Sequence, residues 1–86
     1  MERQDIIDGL KDILKTVRTI DHNKIENLNE NTDFITDLGM PSTEMINVAA
    51  KAEQKFGVEF DDDDIDDLGS KVKDIVDLIL KVKERA

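Results

Sequence analysis

The chain contains no cysteine. Disulfide staples, thiolate metal sites and a cysteine nucleophile are excluded by that fact alone, and a cytoplasmic setting is expected. Tryptophan and tyrosine are absent too, and three phenylalanines make up the whole aromatic complement. Large protein interfaces anchor mostly on Trp, Tyr and Arg, so any interface here is expected to be modest, electrostatic and transient. The one histidine, His22, stands alone in a polar stretch, which leaves no imidazole pair and no cysteine–histidine couple to activate a nucleophile. Positive charge is scarce, with 12 Lys and Arg against 21 Asp and Glu and a net charge of -9. Phosphate backbones and anionic membrane surfaces demand the opposite balance, so nucleic acid is excluded as a partner and basic protein surfaces are favoured. No stretch is apolar enough to insert into a membrane. The opening Met1-Glu2-Arg3-Gln4-Asp5 lacks the apolar run of a secretion signal. The 86 residues are expected to form one domain, residues 1–86, with no room for a second lobe or a deep interdomain cleft.

What the chain does have is helical periodicity. Ile6, Leu10, Ile13, Leu14 and Val17 recur at three- and four-residue spacing, with Ile7 at the edge of the stripe, which predicts an amphipathic helix over 3–19. Gly9 should weaken that helix by about 1 kcal/mol relative to alanine. Residues 20–41 are rich in Asn, Asp and Thr and predict a long connection. Ile25, Leu28, Phe34, Ile35 and Leu38 within it need burial, so the loop must pack on the core. Pro41-Ser42, with Glu44 in the first turn, predicts a helix start. Met45, Val48, Ala49, Ala52 and Phe56 continue the helix, and Gly57 is a natural C-terminal cap. The acidic run Asp61–Asp67 suits a short third helix with carboxylates at its positive end. Gly69-Ser70 breaks it, Ser70 is placed to cap a last helix, and Val72, Ile75, Val76, Ile79 and Leu80 mark that helix over 71–85. The sum is an all-α four-helix bundle of three longer helices and one short third helix, with a long first loop. With every apolar stripe used by the core, a monomer is expected.

Few residues carry chemistry. The acidic run fails the calcium-loop pattern: starting at Asp62, the sixth position is Asp67 instead of glycine and the twelfth is Lys73 instead of glutamate. No metal site is expected. Ser42 is the residue to single out. Gly39-Met40-Pro41-Ser42 lacks the glycines and the preceding strand of a nucleophile elbow, so a serine hydrolase is excluded and no catalytic residue is assigned. Ser42 is then either a helix cap or a hydroxyl that another enzyme modifies. Ala49, Ala50 and Ala52 make the helix after it small-sided, for close packing or for room beside a bound group.

The residues around Ser42 resemble a known pattern. The run Asp33-Phe34-Ile35-Thr36-Asp37-Leu38-Gly39-Met40-Pro41-Ser42-Thr43 is similar, from Phe34 on, to the F-x-x-D-L-G-x-D-S-L run of acyl carrier proteins. Fourteen residues after Ser42, Phe56-Gly57-Val58-Glu59-Phe60 is similar to that family's F-G-I-E-I. Residues 70–79 resemble its last helix, and the likeness spans roughly residues 3–83. The resemblance implies a non-enzymatic carrier that holds 4′-phosphopantetheine, taken from coenzyme A, on Ser42 through a phosphodiester. It implies partners in a phosphopantetheinyl transferase and in acyl-processing or synthase enzymes of fatty-acid, polyketide or other specialised lipid biosynthesis. It also implies a partner-recognition surface at Asp37, Gly39, Met40, Pro41, Thr43, Glu44 and Asn47. Two positions depart from the pattern: Pro41 stands where the family has aspartate, and Thr43 where it has leucine. The helix after Ser42 is nearly neutral on its exposed side, with Glu44, Asn47, Lys51, Gln54 and Lys55, where the family is acidic. These departures point to a specialised carrier. An aminoacyl or peptidyl carrier, and an unmodified adaptor that keeps the fold without the arm, are the alternatives.

Overall fold

The apolar stripes of the sequence become the inner faces of helices. The computed structural model describes residues 1–85. In chain order they form α1 (Arg3–Leu14), a 3₁₀ turn at His22–Lys24, α2 (Glu44–Phe56), α3 (Asp62–Asp66) and α4 (Val72–Arg85). The expected architecture of three longer helices, a short third helix and a long first loop is the one observed.

Helix α1 begins with a reciprocal cap, in which the Glu2 side chain accepts an amide of the first turn and Asp5 accepts the Glu2 amide at 3.2 Å. It buries Ile6, Ile7, Leu10, Ile13 and Leu14. Gly9 is buried among them, and a Cβ there would lie 2.5 Å from Cζ of Phe56. The glycine that weakens α1 by propensity therefore lets the Phe56 ring of α2 lie against it. The helix stops at Leu14, five residues short of the periodic stretch. Thr16 explains the stop: its hydroxyl donates to the Ile13 carbonyl at 2.6 Å and its amide to the same oxygen at 3.0 Å. A threonine bonding back to a nearby carbonyl competes with helix continuation. Val17 and Ile20 are buried all the same, so the stripe identified core residues correctly and only the backbone differs. The His22 ring donates from Nε2 to the Val17 carbonyl at 2.5 Å.

The long loop packs on the core through Ile25, Leu28, Phe34, Leu38 and Met40, all buried. Its backbone is sewn to the start of α4: Phe34 N–H donates to Ser70 O at 2.8 Å, Val72 N–H to Thr32 O at 2.9 Å, and Lys73 N–H to Glu30 O at 3.0 Å. Arg3 fastens the same seam from outside. Its guanidinium donates from Nε to Glu30 at 2.9 Å and lies 2.7 Å from Asp77 of α4. The Arg3 hydrogen bond holds the Glu30 carboxyl below its ordinary range, against an opposing push from desolvation. A carboxylate whose folded pKa is depressed stabilises the fold above its unfolded pKa and loses that contribution as pH falls through the folded one. Arg3→Met is therefore expected to lower the thermal midpoint by a few degrees at neutral pH. The gap between variant and wild type should narrow only once the pH falls below the ordinary glutamate range, because the depressed Glu30 carboxyl stays ionised through that range. Melting curves by circular dichroism at several pH values check this; a gap of unchanged size from neutral pH down to the lowest pH at which the wild type still folds would mean that Arg3 acts by packing alone.

Gly57 ends α2 in the left-handed region, with φ 66° and ψ 41°, as expected of a C-terminal glycine. Ala49 and Ala52 are buried in the bundle interior, so their small size serves close packing. In α3, Asp61 and Asp64 form a reciprocal cap, and Arg85 reaches back to Asp64 at 2.8 Å. Helix α4 buries Val72, Ile75, Val76 and Ile79 as expected, adds Leu78 and Val82, and leaves Leu80 half-buried. Ser70 does not cap it. Asp74 accepts the Lys71 amide at 3.1 Å, and the Ser70 hydroxyl turns instead to Asp33.

Candidate functional site

The approach to Ser42 is a chain of short-range bonds written into the sequence Asp33–Met40. Asp33 Oδ1 accepts the amides of Ile35 at 2.8 Å and Thr36 at 2.9 Å. Asp37 returns the pattern by accepting the Asp33 amide at 2.7 Å. Such carboxylate-to-amide turns are what Asp favours outside helices. Gly39 then takes a left-handed φ of 74°, open to a residue without a Cβ. Met40 drops into the core, 1% exposed, with its amide on Phe34 O at 3.0 Å. With Met40 anchored below, Pro41, Ser42 and Thr43 stand exposed above.

Helix α2 is entered by a turn. Glu44 N–H donates to Pro41 O at 2.9 Å and Met45 N–H to Ser42 O at 3.2 Å. The helix starts at Glu44, two residues later than Pro41-Ser42 suggests, and its cap residue is Thr43, whose side chain makes no capping bond. Ser42 therefore does not serve as the cap of α2. Its side chain lies beside the helix entrance.

Beside Ser42 opens a groove of about 340 Å³, walled by Ile35 from the loop, Met45 and Ile46 from α2, and Ile65 and Leu68 from α3 and its exit, with the exposed Asp66 of α3 also on its lining. Met45, expected in the core, is half-buried on this wall. Ile46 is 62% exposed, a large apolar side chain left in water four residues from Ser42. The far wall continues through Gly69 to Ser70. The Ser70 hydroxyl donates to Asp33 Oδ2 at 2.7 Å. The Thr36 amide first, and the Ser70 hydroxyl next, hold the Asp33 carboxyl below the usual carboxylate range.

The residues singled out from sequence fall into two groups. Gly39, Pro41, Thr43 and Asn47 are exposed around Ser42, with Glu44 half-buried among them. Met40 is buried and supports this surface from beneath, while Asp37 is exposed and its carboxylate accepts the Asp33 amide, bracing the turn from the side. Sequence reasoning took Asp33 only as the head of the run before Ser42 and Ser70 only as a helix cap, and it passed over Ile46. Ile46 had a legible signal, an isoleucine outside the Val48–Ala52–Phe56 stripe. Chemically, the site offers an exposed hydroxyl next to an apolar trough, while the His22 ring is engaged with Val17 O.

The profile described as "Phosphopantetheine attachment site" matches residues 9–79. The chain is 37% identical over 79 residues to an acyl carrier protein of Coprothermobacter proteolyticus, covering 92% of each chain. It is 32% identical over 78 residues to an acyl carrier protein of Thermobifida fusca, covering 91% of this chain and 94% of that one. It is also 33% identical over 82 residues to a meromycolate extension acyl carrier protein of Mycolicibacterium aurum, covering 95% of this chain and 80% of that one.

Proposed function

The chain belongs to the phosphopantetheine attachment-site family of acyl carrier proteins, and from that premise we propose that Ser42 bears the 4′-phosphopantetheine arm and that residues 1–86 act as one carrier domain for acyl cargo in fatty-acid or specialised lipid biosynthesis. The observation that carries this reading is the pairing of an exposed Ser42 with an apolar groove that begins beside it. The residues present fit the group. The serine stands just ahead of the 13-residue helix α2, where the positive end of the helix dipole favours a phosphodiester. When attached, the arm supplies a terminal thiol that holds an acyl group as a thioester.

The chain's own residues supply the nucleophile, its presentation and the docking surface. Ser42 Oγ attacks the pyrophosphate of coenzyme A inside a transferase. A serine–phosphorus bond forms, adenosine 3′,5′-bisphosphate leaves, and the hydroxyl proton passes to the transferase. Gly39 and Met40 hold the turn that lifts Ser42 out of the core. Ile35, Met45, Ile46, Ile65 and Leu68 offer an apolar wall, which favours acyl over aminoacyl cargo by the hydrophobic effect. Asp37, Gly39, Pro41, Thr43, Glu44 and Asn47 form the contact surface for the transferase and for acyl-processing enzymes, with Met40 beneath. Ile46 adds an apolar anchor to that surface. The protein works as a cytoplasmic monomer.

One-step loading tests the cargo class. With a broad-specificity transferase, Mg²⁺ and octanoyl-coenzyme A, the chain is expected to gain a single octanoyl-phosphopantetheine by intact mass. Hydroxylamine should then remove the acyl group alone, leaving the arm. An octanoyl group that resists hydroxylamine, or mass added at several sites, would contradict the reading.

A further inference from the structure

Asp33 touches both walls of the groove with one carboxylate. Oδ1 holds the amide of Ile35, the loop-side wall, at 2.8 Å. Oδ2 holds the hydroxyl of Ser70, on the wall formed by the joint between α3 and α4, at 2.7 Å. The two residues lie 37 positions apart in sequence, so this is a tertiary bond, and the Phe34 amide on Ser70 O at 2.8 Å runs beside it. The Asp33 amide is itself pinned by Asp37 at 2.7 Å, which keeps the carboxylate from following either wall if they separate. Gly69 leaves no slack on the other side, because a Cβ there would collide with the Asp74 carboxylate that caps α4.

We propose that Asp33 and Ser70 are positioning residues that clasp the two walls of the groove beside Ser42, set its width, and so determine which acyl lengths are sheltered there. A hydroxyl-to-carboxylate bond is charge-assisted and stronger than a neutral one. When it is removed, the backbone bonds and the outer Arg3 pairing with Glu30 and Asp77 still hold the seam, but no side-chain bond ties Ser70 to the residue that holds Ile35, and the wall of Leu68, Gly69 and Ser70 gains freedom to move relative to Ile35. Intermediate chains that fit the clasped width lose protection, while acetyl, too short to reach the apolar wall, is unaffected.

This inference rests on the carrier reading, and loading separates the two failures: a chain that takes no arm fails before the clasp is examined. The test uses the full chain loaded at Ser42 with acetyl, octanoyl or hexadecanoyl groups, and measures hydroxylamine cleavage rates by intact mass. Wild type should cleave octanoyl more slowly than acetyl. In Ser70→Ala that ratio should collapse toward one, a change on the order of tenfold at most for the loss of one charge-assisted bond. Ser70→Thr, which keeps the hydroxyl, should restore it, and Ser70→Val, which matches threonine in shape without the hydroxyl, should not. The Thr and Val pair carries the comparison even if Ser70→Ala fails to fold. If Ser70→Ala and Ser70→Val lower the melting temperature but leave the octanoyl-to-acetyl ratio at its wild-type value, the bond is structural only and the proposal is overturned.

Discussion

Phe34→Ala will cost about 3–5 kcal/mol of stability, the range for truncating a fully buried aromatic ring. Phe34 is 0% exposed and ranks among the largest fully enclosed side chains of the protein. Its backbone is held as firmly as its ring: the amide donates to Ser70 O at 2.8 Å and the carbonyl accepts from Met40 at 3.0 Å. The loop on either side cannot collapse into the vacated space without breaking the seam to α4. Domains of this kind have a total margin of roughly 5–15 kcal/mol, so the loss is a large fraction of it. At about 4–8 °C per kcal/mol for a domain of this size, the melting temperature should fall by about 12 °C or more. Phe60, only half-buried at the edge of the core, should give a clearly smaller drop when changed to alanine. Equal drops would mean that Phe34 contributes no more to the core than a residue at its edge. The functional consequence follows from position. Phe34 lies under the turn that presents Ser42, so its truncation should also slow loading at temperatures where the protein is still folded.

Ser42→Ala is expected to do the reverse, leaving the fold untouched and abolishing attachment of the arm. Ser42 is exposed, and the cap of α2 is Thr43, which makes no side-chain capping bond. A surface change of this kind stays within about 0.5 kcal/mol. A serine that capped the helix would instead cost about 1 kcal/mol when changed to alanine. The thermal melt thus separates a cap from an attachment point, and loading with coenzyme A reads the function.

Much of this was legible in the chain. Stripes of period 3.6 located the buried faces of α1, α2 and α4, because each helix must hide one side. Gly57 marked the end of α2, and the aspartates marked α3, because glycine tolerates the left-handed cap and carboxylates suit a helix start. Ser42 was legible through the run from Phe34 to Thr43. What escaped depends on bonds that no window of sequence contains. Thr16 ends α1 by a local back-bond that competes with an unbroken apolar stripe, and the stripe is the louder signal. Ser70 looks like a cap because it precedes a helix, yet its hydroxyl goes to Asp33. The groove belongs to three separate segments, and Met45 lines it, half-buried, from the first turn of α2. Gly9 shows both sides at once: propensity counts against it, and only the packed Phe56 ring explains it.

Attachment of the arm to Ser42 is read most simply from the intact mass of wild type and of Ser42→Ala after incubation with coenzyme A, Mg²⁺ and a broad-specificity phosphopantetheinyl transferase, followed by peptide mapping. A gain of one phosphopantetheine is expected on the wild-type peptide containing Ser42, and no gain in the variant. A folded wild-type chain that gains nothing with any of several transferases, or a variant that is still modified, would contradict the carrier reading. The first of these results would place the protein among adaptors that keep the fold without the arm.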